Sequence, residues 1–278
     1  MRTLRAGDGE TLHYARNGEG PPVVMLHGWT ASHTEWSPLV RALSAQRTVI
    51  RWDARGHGDA GRARRADPTA ERMADDLAVL LAHESVEGAT LVGHSMGALT
   101  AWEYFRRHGG ARISRVVLVD QSPKLLTDAG WTHGIYGDFD EARSRAFLAD
   151  LERDFAESVL RLAAYGLNPH ARGRYEAGSR GWAFAREALR RLEPAPLIAC
   201  WRSLVAGDWR DVLPRMGVPA LLVHGGASNF YGEDTAREVH SRIPGSHLEI
   251  YPMADHSPHL AAPERFAREV LAFSTGCP

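Results

Sequence analysis

The sequence predicts an α/β fold: a mostly parallel eight-stranded sheet with helices on both faces and a helical cap inserted late in the sheet. Three observations carry this. Short runs rich in Val, Leu and Ile recur at regular intervals, as strands buried on both faces require. Patterns of helical period lie between them. One stretch, from about Pro123 to about Leu213, breaks the alternation and holds helical patterns only.

The 278 residues, 44% of them hydrophobic, are enough to bury a sizeable core. Basic residues (33) and acidic residues (34) nearly cancel, leaving a net charge of -1. Such a surface offers no cationic face to nucleic acid or to an anionic membrane, so neither is an expected partner. A neutral small-molecule substrate suits it. Cys200 and Cys277 are the only cysteines, which excludes a disulfide framework, and no clustered Cys and His pattern signals a metal. Two reduced thiols in a cytoplasmic protein are the expectation. The segment MRTLRAGDGETLHY lacks the apolar stretch of a secretory signal, and no apolar run approaches the roughly 20 residues that span a bilayer. The sequence leaves homo-oligomerisation open.

Taken in order, Arg2–Leu4 and Glu10–Ala15 flank Gly7-Asp8-Gly9 and predict a β-hairpin. Strands follow at Val23–Leu26, Val49–Trp52, Thr90–Val92, Val116–Val119, Ala220–Val223 and His247–Tyr251. Met73, Leu77, Leu80 and Leu81 share one helical face behind Asp67-Pro68, a cap-and-first-turn pair. Phe266, Val270 and Phe273 repeat that spacing behind Pro263. In the strand-free stretch, Phe147, Leu151, Phe155, Val159 and Leu162 are spaced helically, then Trp182, Phe184 and Leu189, then Leu197, Trp201 and Leu204. Asn168-Pro169 and Pro194-Ala195-Pro196 separate these patterns. The chain thus divides into a core, residues 1–122 and 214–278, and a cap, residues 123–213. Most cap aromatics should glue cap to core. The pocket-lining candidates are Trp29, His94, Trp131, Tyr136, Trp182, Trp201, Phe230 and Tyr231.

The strongest chemical signal is Gly93-His94-Ser95-Met96-Gly97, between the strand at Thr90–Val92 and a helix over Ala98 to His108 that ends at Gly109-Gly110. A G-x-S-x-G in strand–turn–helix context is a nucleophile elbow. Ser95 must sit in a tight, strained turn, and side chains at 93 and 97 would collide with it. The helix N-terminus favours a developing oxyanion there. His27-Gly28-Trp29 follows the strand at Val23–Leu26, and the glycine permits a tight turn. The N–H groups of Trp29 and Met96 are the expected oxyanion donors; losing one such donor typically costs on the order of 10²–10³ in rate. His27 is expected to pin this loop by hydrogen bonds. In Ala254-Asp255-His256-Ser257-Pro258-His259, after the last strand, His256 is the candidate general base, and His259 should pack or cap the helix behind Pro263.

Gly28, the run Asp53-Ala54-Arg55-Gly56-His57-Gly58, the elbow at Ser95 and the His256 segment together resemble the α/β-hydrolase superfamily over essentially the whole chain. The HGW and GHSMG forms are most similar to bacterial serine esterases of the cofactor-free haloperoxidase and perhydrolase type. The resemblance implies an α/β-hydrolase fold with a Ser–His–acid triad, and a structural turn at Asp53–Gly58. The family usually carries its acid after the strand that is here Ala220–Val223, but that place holds Ala227, Ser228 and Asn229. Glu233 and Asp234 suit the start of a helix instead. Asp120, at the end of the strand after the nucleophile strand, takes the role, as in some superfamily members; its alternative role is to cap the local loop. Ser228 or Asn229 would orient the histidine weakly from the usual side.

The function expected is cleavage of a small or medium ester, lactone or thioester through an acyl-enzyme on Ser95, with no metal or organic cofactor. C–C bond hydrolysis or a lyase or cyclase step on the same triad is the alternative, and a ligand receptor with vestigial activity a third.

Overall fold

A computed structural model describes residues 1–58 and 68–276. The hairpin forms between β1 (Arg2–Arg5) and β2 (Thr11–Asn17), antiparallel, with Arg2 opposite Tyr14. β3 (Pro22–Leu26), β4 (Thr48–Asp53), β5 (Ala89–His94), β6 (Ile113–Val119), β7 (Ala220–Gly225) and β8 (His247–Tyr251) complete an eight-stranded sheet of order β1-β2-β4-β3-β5-β6-β7-β8. β2 joins β4 antiparallel, and every pairing from β4 to β8 is parallel.

The near-continuous apolar runs are explained by two cores. Val23 and Met25 of β3 point into one, with Trp36 and with Leu39 and Leu43 of α1 (Ser37–Ser44) and Phe266 and Val270 of α11 (Pro263–Thr275). Val24 and Leu26 point into the other, with Met73, Leu77 and Leu80 of α2 (Ala70–His83) and Leu99 and Trp102 of α3 (Met96–His108). Successive residues of a strand face opposite ways, so each strand must be apolar at every position.

α2 begins after Thr69, whose hydroxyl accepts from Arg72 N, so the cap is Thr69 and the expected cap-and-first-turn pair is displaced. Asp67 itself lies outside the described residues, as does Cys277. Cys200 is buried and free.

Between β6 and β7 stand five α-helices: α4 (Glu141–Arg153), α5 (Phe155–Ala164), α6 (Pro169–Glu176), α7 (Arg180–Arg190) and α8 (Pro194–Ala206). The single spacing from Phe147 to Leu162 is split at Asp154, whose extended backbone ends α4 and whose carboxylate caps α5 at Glu157 N. Asn168-Pro169 and Pro194 both open helices, as proline in a first turn does. α9 (Glu233–Arg242) carries Glu233 and Asp234 in its first turn, and α10 (Pro258–Ala261) precedes α11. No helix among the described residues is long and apolar enough to cross a membrane.

β3 sits between β4 and β5 although β4 follows it in the chain, so the direction of winding reverses between β3 and β5. In open α/β sheets the crevice at the carboxyl ends of strands at such a reversal is where ligands bind. Gly28 and Trp29 follow β3 there, and Ser95 follows β5.

Candidate active site

Ser95 has φ 52 and ψ -116, a conformation side chains avoid, and its N–H is tied to Val119 O at 3.1 Å. The packing that enforces this bend explains both glycines. A Cβ at Gly93 would stand 2.5 Å from Gly97 O, and one at Gly97 would stand 2.1 Å from Leu26 O on β3. The elbow is therefore wedged against the neighbouring strand. Gly28 is required for a different reason from the one the sequence suggests: its φ is ordinary, but a Cβ there would stand 2.9 Å from His94 Nδ1.

His256 Nδ1 lies 2.8 Å from Asp120 Oδ1. A carboxylate only accepts, so Nδ1 carries the proton and Nε2 is left with its lone pair. Asp120 is fully buried at the end of β6, in a left-handed backbone conformation of φ 46. Gly225 N donates to Oδ2 at 2.8 Å and Ser228 Oγ to Oδ1 at 2.8 Å, while His224 Nδ1 stands 3.4 Å from Oδ2. Burial alone would raise its pKa, but His224, His256 and the Gly225 amide outweigh burial and hold the carboxyl below the usual range. Burial lowers the His256 pKa, with Asp120 opposing, and so favours the neutral imidazole.

Ser228 thus supports Asp120 rather than the histidine. Asn229 turns away: its amide donates to Ala163 O at 2.6 Å on α5, and Asn229 O accepts from Leu167 N. Within the loop after β7, Asn229 and the Ala227 carbonyl, which accepts from Asn168 Nδ2, hold the helices between β6 and β7. Among the described residues, the N–H groups of Trp29 and Met96 donate to no protein acceptor.

A cavity of about 300 Å³ holds Ser95 and His256 in its wall together with Trp29, His94, Met96, Trp201, Phe230 and Tyr231. Aliphatic side chains that were not among the pocket candidates complete it: Leu99, Leu125 and Ile135, and Val159, Leu162 and Ala163 of α5. α5 and α8 form one side, the strand ends the other. The Phe230 ring meets the His256 ring edge-on at 4.4 Å between centroids, and Trp29 packs on Trp201 at 4.7 Å while its Nε1 donates to Leu197 O at 2.9 Å.

Three pocket candidates lie elsewhere. Trp131 is buried against Ser122, its Nε1 donating to Ser122 Oγ, with Arg210 and Arg242 over its ring. Tyr136 donates to Leu162 O and faces a separate depression with Arg143 and Arg161. Trp182 packs edge-on against Tyr175 of α6. Aromatic content marked these three, and each is used in packing away from the cavity wall.

His27 is fully buried; Ala54 N donates to its Nε2 at 3.0 Å and its Nδ1 lies 2.8 Å from Gly28 O, so it pins the loop as expected. In the Asp53–Gly58 turn, Arg55 is buried against Asp76, Nε to Oδ2 at 2.6 Å. His259 packs against Phe266 of α11, with ring centroids 5.8 Å apart, and does not cap it. Its Nε2 lies 2.9 Å from Glu35 Oε1, which also stands 2.7 Å from His94 Nδ1. Glu35 is the residue the sequence reading missed; one acidic residue in HTEW carries no periodic or motif signal. Its carboxyl is held well below the ordinary range because the two histidines outweigh its burial, and Glu35 in turn raises His94 against the effect of burial. Glu35, His94 and His259 are metal-type donors within 4.8 Å of one another. Ligands around a zinc ion with bonds of about 2.0 Å stand roughly 3.3 Å apart, so the 2.7 and 2.9 Å separations here are shorter than those of ligands sharing one ion.

A sequence profile described as the alpha/beta hydrolase fold matches residues 21–263. The chain belongs to the α/β-hydrolase family. Among curated proteins, this α/β hydrolase is 28% identical over 265 residues to the pimeloyl-[acyl-carrier protein] methyl ester esterase of Vibrio vulnificus, covering 95% of the chain and 98% of the relative. Among solved structures it superposes on an esterase from Exiguobacterium antarcticum with a TM-score of 0.84 at 23% identity, covering 98% of both chains. A bromoperoxidase from Bacillus anthracis gives 0.84 at 22%, covering 98% of this hydrolase and 99% of that chain. At these identities the two structures speak for the fold.

Proposed function

We propose that this α/β hydrolase is a serine esterase that cleaves a small or medium ester, lactone or thioester with an apolar acyl or aryl part, through an acyl-enzyme on Ser95. One observation carries the reading: the strained Ser95 and a His256 backed by buried Asp120 open onto the same largely apolar cavity. Ser95 Oγ attacks the carbonyl carbon while His256 Nε2 takes its proton. The Trp29 and Met96 amides hold the oxyanion. Collapse expels the alcohol, which leaves with the proton from His256. Water, deprotonated by His256, then attacks the acyl-enzyme; His256 returns the proton to Ser95 Oγ as the acid leaves. Asp120 holds the imidazole in the required tautomer and stabilises its cation. No step calls on a metal or organic cofactor.

Residues 123–213 act in this reading as a cap that contributes the Leu162, Ala163 and Trp201 wall and limits the acyl group. The apolar lining favours a neutral chain or ring over a charged one. The curated relatives, pimeloyl-[acyl-carrier protein] methyl ester esterases, support an ester as the bond cleaved. The test is hydrolysis of p-nitrophenyl acetate and of a panel of longer esters and lactones by the wild type and by Ser95→Ala. Turnover lost in Ser95→Ala supports the reading; no hydrolysis across the panel, or turnover that survives in Ser95→Ala, overturns it.

A further inference from the structure

The reacting groups come from three distant parts of the chain: the oxyanion loop at Gly28-Trp29, the elbow at Ser95 and the His256 segment. Glu35 touches all three. Gly28 N donates to Glu35 Oε2 at 2.9 Å. Glu35 Oε1 lies 2.7 Å from His94 Nδ1, next to the nucleophile, and 2.9 Å from His259 Nε2, three residues beyond the base. His94 carries the link onward. Its Nε2 lies 2.9 Å from the backbone carbonyl of His256, across 162 residues of chain. A carbonyl only accepts, so this nitrogen donates. The side chains of Glu35 and His94 are 6% and 7% exposed, so water competes little for these contacts. The room for His94 exists only because position 28 is glycine.

Asp120 holds the ring of His256, while the backbone of His256 is met at its carbonyl by His94. The His94 contact fixes that backbone, and the residue making it is adjacent to Ser95, so one imidazole sets the spacing of base and nucleophile. We propose that His94, held by Glu35, is a positioning residue that sets the place of His256 relative to Ser95. This rests on the serine-esterase reading above. A displacement of about 1 Å at a reacting pair costs up to about 10²-fold in rate.

The experiment uses the full chain with Glu35→Ala, Glu35→Gln, His94→Ala, His94→Gln and the double alanine variant. The readouts are kcat and KM for p-nitrophenyl acetate, expressed per serine titrated with a fluorophosphonate probe, so that unfolded protein is not counted. His94→Ala is expected to lower kcat roughly 10- to 100-fold with KM within about threefold, because an interaction that serves only the reacting geometry is lost. His94→Gln, whose amide N–H can reach the His256 carbonyl, restores most of that loss. Glu35→Ala follows His94→Ala, Glu35→Gln is milder, and the double variant is no worse than the worse single, as two residues acting through one link require. The proposal is overturned by unchanged kcat per titrated serine in His94→Ala, by equal losses in His94→Gln and His94→Ala, or by single losses that multiply. If His94→Ala fails to fold, the two glutamine variants and Glu35→Ala decide by the same criteria. A wild type that neither hydrolyses the ester nor takes the probe overturns the esterase reading, and this proposal with it; a wild type that does both while His94→Ala matches it overturns this proposal alone.

Discussion

Ser228 donates its hydroxyl to the oxygen of Asp120 that faces His256, at 2.8 Å. The loop where this family usually places the acid here supplies a hydroxyl and the Gly225 amide to an acid on the neighbouring strand. Asp120→Asn should fold and lose on the order of 10³–10⁴ in kcat, since the amide presents the wrong partner to Nδ1. Ser228→Ala should lose about tenfold or less, with about 1 kcal/mol of stability, because one of three hydrogen bonds to a buried carboxylate goes. Near-normal turnover in Asp120→Asn would show that the acid lies elsewhere; steady-state kinetics with thermal unfolding checks both.

The pH profile carries a second prediction. The His256 pKa is lowered by burial, with Asp120 raising it part of the way back. The base must be neutral to take the proton, so kcat/KM rises with pH through that pKa and is flat above it. The acid limb should fall below the ordinary imidazole value of about 6.5. In Asp120→Asn the residual activity should show a limb moved further down, because the raising partner is gone. A wild-type limb above pH 7 would contradict the burial argument.

Gly97→Ala tests the wedge between elbow and β3. Its Cβ would stand 2.1 Å from Leu26 O, a backbone atom that cannot rotate away. The elbow must shift or the strand must part, so folded yield or activity should drop by more than about 10²-fold, with a lowered unfolding temperature wherever soluble protein is obtained. A normal melting curve with normal turnover would show that the contact relaxes freely.

Ala163→Phe addresses the acyl pocket from the side of α5. Ala163 lines the cavity and its carbonyl, not its methyl, meets Asn229. The larger ring should leave p-nitrophenyl acetate turnover within about threefold while raising KM for octanoyl esters by tenfold or more, since a filled pocket rejects each added methylene by about 1 kcal/mol or more. Equal effects on short and long esters would place the acyl group elsewhere.

The parts of the fold that are local in sequence were legible without coordinates. Six buried runs, a glycine hairpin and helical spacing between them predict the sheet, because strands with two cores must be apolar at successive positions. His247–Tyr251 coincides with β8, and the other strands differ at their ends by one to three residues. The spacing from Phe147 to Leu162 misled because Asp154 interrupts the helix without disturbing the apolar period. Thr69 displaced the expected cap of α2 because proline at 68 fixes only that a boundary is near.

For the site, the sequence by itself determined the elbow: a serine between two glycines after a buried strand can be built in few ways, since any Cβ at 93 or 97 meets backbone. It also determined the candidates Asp120 and His256, each at a strand end. Which of those carboxylates and imidazoles meet was decided by tertiary structure alone. Parallel pairing puts the carboxyl ends of β3, β5, β6, β7 and β8 along one edge of the sheet, and only there do Ser228 find Asp120 and Glu35 find His94. Trp131, Tyr136 and Trp182 show the same limit from the other side. An aromatic ring has no sequence signature that separates lining a cavity from filling a core, because burial rewards both alike.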